Sequence, residues 1–414
     1  MTTPHNGSPA SRWYSFRRPI AAFALVILIN GLSAAVHING WLSLLLQVVA
    51  VVPVLLLPLR SLVPVWAAIA FAIVLHGTGY LLEMPYVDRV VIECGIAIIA
   101  AVSLTIVNGF TGQFSIGHAA FITIGGYVGG FLSYYACLGL FDLSPAQMRS
   151  IEPTMAGGAQ WLLLLAAILG GTVAALAGWL VGLPSLRLRG DYLAIVTLGF
   201  GEIVRVLLQQ TPQQLDTPEA FDKTNKLAML YAPPVGGATG FADLPKVTNL
   251  LWTYLFVGAT VLFAYRLKQS STGRALLSIR EDEIAAESMG INTAKLKVRA
   301  FMLAAFFAGV AGTLYAHLQG TVLTPKDAGF QRSFDVVMMV VLGGLGSVSG
   351  SVLAAIVITV ANAFLTPLGP WRMILFAFIL ILMMIFRPKG LFGLNEVWDV
   401  FGRGGKRQEA RGKS

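Results

Sequence analysis

Charge, cysteine and histidine are all scarce in this chain. Asp, Glu, Lys and Arg together make up 12% of 414 residues, too little to solvate the surface of a soluble protein of this size. The two cysteines, Cys94 and Cys137, both fall near the outer ends of apolar runs; a disulfide between them is geometrically conceivable, but they read as packing residues. The five histidines, His5, His37, His76, His118 and His317, show no metal-ligand spacing, and no Ser/His/Asp or Cys/His set is readable. A phosphate-cradling Gly-x4-Gly-Lys-Ser/Thr loop is missing as well. The Gly-rich stretch 343–350 has no lysine, and Lys406 follows Gly404–Gly405 in a polar tail. These absences count against an enzyme and against ATP hydrolysis on this chain, for which no bound cofactor is expected.

What is present is hydrocarbon. Hydrophobic residues form 56% of the chain and the mean hydropathy is +0.74. The apolar runs reach the roughly 20 residues needed to cross a hydrocarbon core. Spans are predicted near 20–38, 41–59, 62–82, 90–107, 116–140, 161–183, 191–208, 250–267, 300–320, 334–346, 350–366 and 372–386. Helix is the expected state, because backbone polar groups in lipid must be satisfied within their own segment. The 334–346 run is short; it either spans or forms a re-entrant hairpin with 350–366. The fold class is therefore all-α, a polytopic membrane protein of roughly 10–12 transmembrane or re-entrant helices.

Basic residues set the orientation. With the N-terminus inside and sides alternating, 20 of the 29 Lys and Arg fall on the cytoplasmic side and eight outside, with Arg205 within a span. Both termini are then cytoplasmic in an inner-membrane protein. The net charge of +9 reflects topology and anionic lipid rather than nucleic acid. Arg17, Arg18 and the small residues Ser33, Ala34 and Ala35 have the look of a signal peptide. An uncleaved first helix fits the charge alternation better. The expected organisation is a tail over 1–18, a membrane domain over 19–388 and a tail over 389–414, with an outer loop at 209–249. That loop, turn-rich and mildly acidic, caps an outer mouth, docks a partner or simply loops.

Between two spans lies a charged island, GRALLSIREDEIAAESMGIN (273–292), within a cytoplasmic loop at 268–299. It reads as a short helix outside the membrane presenting Arg274, Arg280, Glu281, Asp282, Glu283 and Glu287. Ala285 and Ala286 allow close approach there, and Gly290 offers a left-handed stop. Within the spans, polar residues are expensive and mark a pathway or a buried pair. Glu202 and Arg205 stand three apart on one helical face and are expected to pair; Thr197 lies in the same span, where Gly199 and Gly201 allow close approach or a break. Gln113, Ser115 and His118 cluster where an inner loop enters a span, with capping and hydrogen-bonded packing as the alternatives. Gly125/Gly129, Gly126/Gly130 and Gly346/Gly350 have the spacing of close helix packing. Gly109-x-x-Gly112-x-x-Ser115 and Gly343-x-x-Gly346-x-x-Ser349 form a weak internal echo.

NGFTGQFSIGHAAFITIGGY, RLRGDYLAIVTLGFGEIVRV, the island with its continuation to His317, VVLGGLGSVSGSVLAA and FRPKGLFG occur in this order over roughly 85–395. As an ordered set they resemble the branched-chain amino acid permease family of bacterial ABC importers. The resemblance implies a permease subunit paired with a second homologous permease, two cytoplasmic ATPase subunits that bind ATP-Mg, and a periplasmic solute-binding protein. It makes the island the coupling loop, seated in a groove of an ATPase. Ala285, Ala286 and Gly290 keep the Glu-Ala-Ala-x3-Gly spacing of ABC importers, with Ile284 where Glu would stand. The pathway candidates are Gln113, Ser115, His118, Thr197, Glu202 and Arg205. Relatives of the family also carry urea, amides or aromatic acids, and the sequence does not separate these. An ion-coupled secondary transporter would need an unpaired mid-membrane carboxylate, and Arg205 can neutralise Glu202, the one candidate.

Overall fold

Apolar runs dictate helices, and the helices are sealed to one another by glycine. The structure, a computed structural model, describes residues 85–365 except 142, 150–156, 186–190, 225 and 319–320, with isolated positions as far as 381. The spans expected near 20–38, 41–59, 62–82 and 372–386, and both tails, lie outside the described residues.

In chain order the main elements are α1 (Pro85–Leu104, continued by the π-helical Thr105–Thr111), α2 (His118–Leu140), α3 (Gly157–Ser185) and α4 (Asp191–Gln209). They continue with α5 (Leu250–Gln269), α6 (Ser271–Glu281), α7 (Glu283–Ser288) and α8 (Thr293–Ala316). The last two are α9 (Phe330–Gly343) and α10 (Val348–Leu365). Seven described helices, α1 to α5, α8 and α10, are long and apolar enough to cross a membrane. No strand occurs among the described residues, and one isolated antiparallel bridge joins Phe241 to Leu323.

The packed centre is the trio α2, α3 and α8. Lipid supplies no hydrophobic drive between helices, so close backbone approach and interhelical hydrogen bonds must hold them. A Cβ on Gly125 would lie 2.2 Å from Gly309 Cα, and one on Gly312 only 1.7 Å from the Ile122 carbonyl oxygen. Thr313 Oγ1 donates across this contact to the Gly125 carbonyl at 2.9 Å. The expected Gly125/Gly129 and Gly126/Gly130 face is thus the α2–α8 seam. Gly346 behaves otherwise: it lies in a turn at φ +97°, and the close contact is Gly343 against Gly350 across that turn. Residue 346 sits outside any helix, so its spacing to 350 forms no helical face.

After α8 the chain dips inward. Leu323 accepts from Tyr127 Oη at 3.1 Å and from Phe241 N at 2.7 Å, and its own N–H returns to the Phe241 carbonyl at 3.1 Å. The following 3-10 turn, Pro325–Ala328, lies against the middle of α4, where a Cβ on Gly201 would be 3.1 Å from the Ala328 carbonyl oxygen. Irregular backbone at this depth is tolerated because protein covers it and satisfies it. Helix α9 starts from here with 14 residues, about 21 Å at 1.5 Å per residue, short of a ~30 Å crossing. It turns at Gly344, φ +109°, and packs against α10, the geometry of a re-entrant hairpin.

The loop between α4 and α5 is folded onto α2. Tyr134 Oη donates to the Leu215 carbonyl at 2.9 Å and Tyr135 Oη to the Pro234 carbonyl at 2.7 Å. Met229, Val235, Phe241 and Leu244 are buried with these tyrosines, so this stretch is not a simple surface loop.

Candidate functional site: the charged island and the buried polar seam

Ser270 closes α5 and opens α6 in one residue. Its N–H reaches the Arg266 carbonyl at 3.0 Å while its Oγ accepts from Gly273 N at 3.0 Å. Only glycine fits at 273, because a Cβ would stand 1.9 Å from the Leu267 carbonyl oxygen. Helix α6 buries Leu276 and Ile279 and turns Arg274 outward. The island is two helices rather than one. Asp282, extended at φ −156°, interrupts it and caps α7 by accepting from Ile284 N at 2.9 Å and Ala285 N at 3.0 Å. Gly290, at φ +83°, ends α7 as its spacing predicts: its N–H reaches the Glu287 carbonyl and the Ile291 N–H reaches the Ala286 carbonyl, the paired bonds of a Schellman stop.

This geometry redistributes the island's residues. Glu283 is ion-paired with the buried Lys297 of α8, and Glu287 accepts from Thr293 Oγ1 at 2.6 Å. Glu283 is thus engaged with α8 and half-buried, whereas Glu287, bonded to the first residue of α8, and Glu281 both remain exposed. Ala286 is 4% exposed and also faces inward, against the expectation that both alanines serve a docking face. The outward face of α7 is Ile284, Ala285 and Met289, the last 82% exposed.

The second constellation is a polar seam inside the bundle. The N-terminus of α2 has no side-chain cap of its own, so Gln113 and Ser115 do not cap it. Its donors are met from other helices: Ser333 Oγ of α9 accepts from Ala119 N at 3.0 Å, and Thr197 Oγ1 of α4 accepts from Ile116 N at 3.1 Å. At the same crossing a Cβ on Gly117 would lie 2.0 Å from the Thr197 carbonyl oxygen. His118 is fully buried with Nε2 2.8 Å from Ser103 Oγ. Ser103 Oγ also lies 2.7 Å from the Ala100 carbonyl oxygen, to which it donates. Asn108 Oδ1 accepts from Ser115 N at 3.2 Å, and Gln113 Oε1 accepts from Thr111 Oγ1 at 3.3 Å.

Ser115, His118 and Thr197 thus meet in one seam along residues 115–118, while Gln113 is buried but bonds only to its neighbour Thr111. Glu202 and Arg205 do not join it. They pair with each other at 2.6 Å, as their spacing predicts, beside Gly329 and on a part-exposed face of α4. Helix α4 is unbroken, so its glycines serve approach rather than interruption: Gly201 touches the 3-10 turn, and Gly199 meets nothing within 4 Å. Ser103, Asn108 and Ser333 escaped the sequence reading, because a lone small polar residue in an apolar helix leaves no periodic trace.

The family model described as branched-chain amino acid transport system / permease component matches residues 86–387, nearly all of the described structure. The chain belongs to that family. The high-affinity branched-chain amino acid transport system permease protein LivM of Salmonella typhimurium is 36% identical over 314 residues, covering 72% of this chain and 68% of the relative. LivM of Escherichia coli matches to the same extent. A more distant relative, the probable branched-chain amino acid transport permease protein LivM of Methanocaldococcus jannaschii, is 24% identical over 338 residues, covering 75% of this chain and 94% of the relative. No solved structure matches. In this multi-pass membrane permease the island follows α5 directly and lies against the C-terminal ends of α1 and α9, whereas Ser333 of the seam sits near the opposite, N-terminal end of α9.

Proposed function

We propose that the chain carries branched-chain amino acids across the inner membrane as one permease of an ATP-driven importer. It works beside a second, homologous permease. Two cytoplasmic ATPase subunits supply ATP-Mg, and a solute-binding protein delivers substrate at the opposite face. The observation that carries this reading is the outward face of α7. A short helix capped at both ends and anchored by Glu283 to Lys297 presents Ile284, Ala285 and Met289 outside the membrane spans. A rigid, shallow apolar face of this kind suits a groove on a partner that pushes as a solid body. The seam around Ser115, His118 and Thr197 is the pathway element, and its neutral polar groups suit a zwitterion better than a fixed charge would.

The test is Ala285→Trp in the complex of both permeases and both ATPases. ATPase co-purification, or substrate-stimulated hydrolysis in proteoliposomes, should be lost while the chain still folds, because residue 285 is exposed. Wild-type values for both would place the dock elsewhere. Robust uptake driven by an ion gradient, with this chain alone, would overturn the importer reading outright.

A further inference from the structure

Three backbone carbonyls at the island end of the bundle receive their donors from charged side chains of α5 and α6. Arg280 Nη1 donates to the Gly109 carbonyl at 2.8 Å and to the Leu345 carbonyl at 3.2 Å. Lys268 Nζ donates to the Gly346 carbonyl at 2.8 Å. Both receiving segments are irregular. Gly109 belongs to the π-helical end of α1, just before left-handed Gly112; Leu345 lies between Gly344 and Gly346, both at positive φ. The stem of Arg280 lies against the first of these turns, so that a Cβ on Gly112 would be 2.9 Å from Arg280 Cγ. The two turns also touch directly: a Cβ on Gly109 would be 2.8 Å from Gly346 N.

We infer that Arg280 is the positioning residue through which movement of α6 and α7 reaches the buried seam. Helix C-termini carry unsatisfied carbonyls and partial negative charge, so two of them converging on one guanidinium attract a cation from both sides. A planar guanidinium presents donors in a fixed fork and can hold both ends in one relative position; an ammonium is a point charge without that fork. The two ends belong to the helices that supply Ser103, Asn108 and Ser333 to the seam, and each runs into glycine at positive φ, a backbone state that glycine adopts without strain. A shift of α6 therefore displaces both ends together. This proposal deepens the reading of α7 as the ATPase dock and rests on it.

The experiment compares Arg280→Met and Arg280→Lys in the complete reconstituted importer, with leucine as the transported probe. The readouts are leucine moved per ATP hydrolysed and ATPase co-purification. Arg280→Met should keep the ATPases bound and hydrolysing while the transport ratio falls by about tenfold, a typical coupling between sites. Arg280→Lys should recover part of the ratio. An unchanged ratio in Arg280→Met, or transport and hydrolysis declining in step in both variants, overturns the proposal and leaves Arg280 a packing residue. If Arg280→Met fails to assemble, Lys268→Met, which removes the Gly346 tie, must show the same split; a wild-type ratio there overturns it equally. Failure of the dock itself reads differently, since Ala285→Trp would then leave the ATPases bound whatever Arg280 does.

Discussion

Helices α2 and α4 are both apolar spans, yet among the described residues 72% of the most apolar stretch of α2 is buried against 28% of that of α4. In α2 the small residues face other backbones: Gly125 meets Gly309, Gly126 meets Gly312 and Gly129 meets Thr313. In α4 Gly199 faces open space, Tyr192, Ile195, Ile203 and Leu207 point outward, and the Glu202–Arg205 pair stands part-exposed. A part-exposed ion pair within a span is poorly suited to hydrocarbon. Among the described residues the surroundings of α2 are nearly complete, whereas those of α4 are largely open.

The sharpest way to break this contrast is Gly312→Leu. Overpacking a core costs about 1–3 kcal/mol when side chains can yield. Here the obstacle is the Ile122 carbonyl, so the expected outcome is loss of folded protein, read by expression and thermal melting in detergent. A well-folded variant would mean that α2 and α8 are not sealed.

Glu202→Gln sharpens the other side. In the isolated chain the pair is part-exposed and the loss should be under about 1 kcal/mol. In the assembled importer, covered by a partner, it should approach about 3–5 kcal/mol. Adding Arg205→Met should recover stability in the complex. Equal small losses in both settings would show that the pair faces water.

Thr197→Val tests the hydrogen bond that ties the entry of α2 to α4. It strands the Ile116 N–H and should cost about 1–3 kcal/mol in either setting, measured by melting. The smallest effect is expected of Gly199→Ala. With nothing nearby it should raise stability of the isolated chain by up to about 1 kcal/mol through helix propensity. Destabilisation of the chain on its own would show that Gly199 is already packed.

Much of the fold was legible because length and apolarity decide it: 161–183 and the spans around α2, α4 and α5 lie where their runs place them. The start of α8 at Thr293 was not, since Lys295, Lys297 and Arg299 break the apolar run while Glu283 anchors Lys297 to the island. The inward dip before α9 was also hidden, because Leu323 is held by Tyr127 and Phe241, partners remote in sequence. Of the candidate residues, Glu202 and Arg205 were readable as a pair because helical spacing alone brings them together. The pairing of Thr197 with Ile116, and the turning inward of Ala286, depend on how separate helices cross, which no local pattern encodes.

The bridge between Phe241 and Leu323 bears on the order in which the protein can be assembled. Chains emerge from the N-terminus, and contacts distant in sequence form late. When the loop ahead of α5 is made, Tyr134 and Tyr135 are already present to receive it, but Leu323 is not. Phe241 must wait, unpaired, until α5 through α8 have been inserted and the chain has turned back. The segment after α8 and the α4–α5 loop then lock each other in a single late step, so a truncation before residue 323 would leave that loop tethered at one side and open at the other.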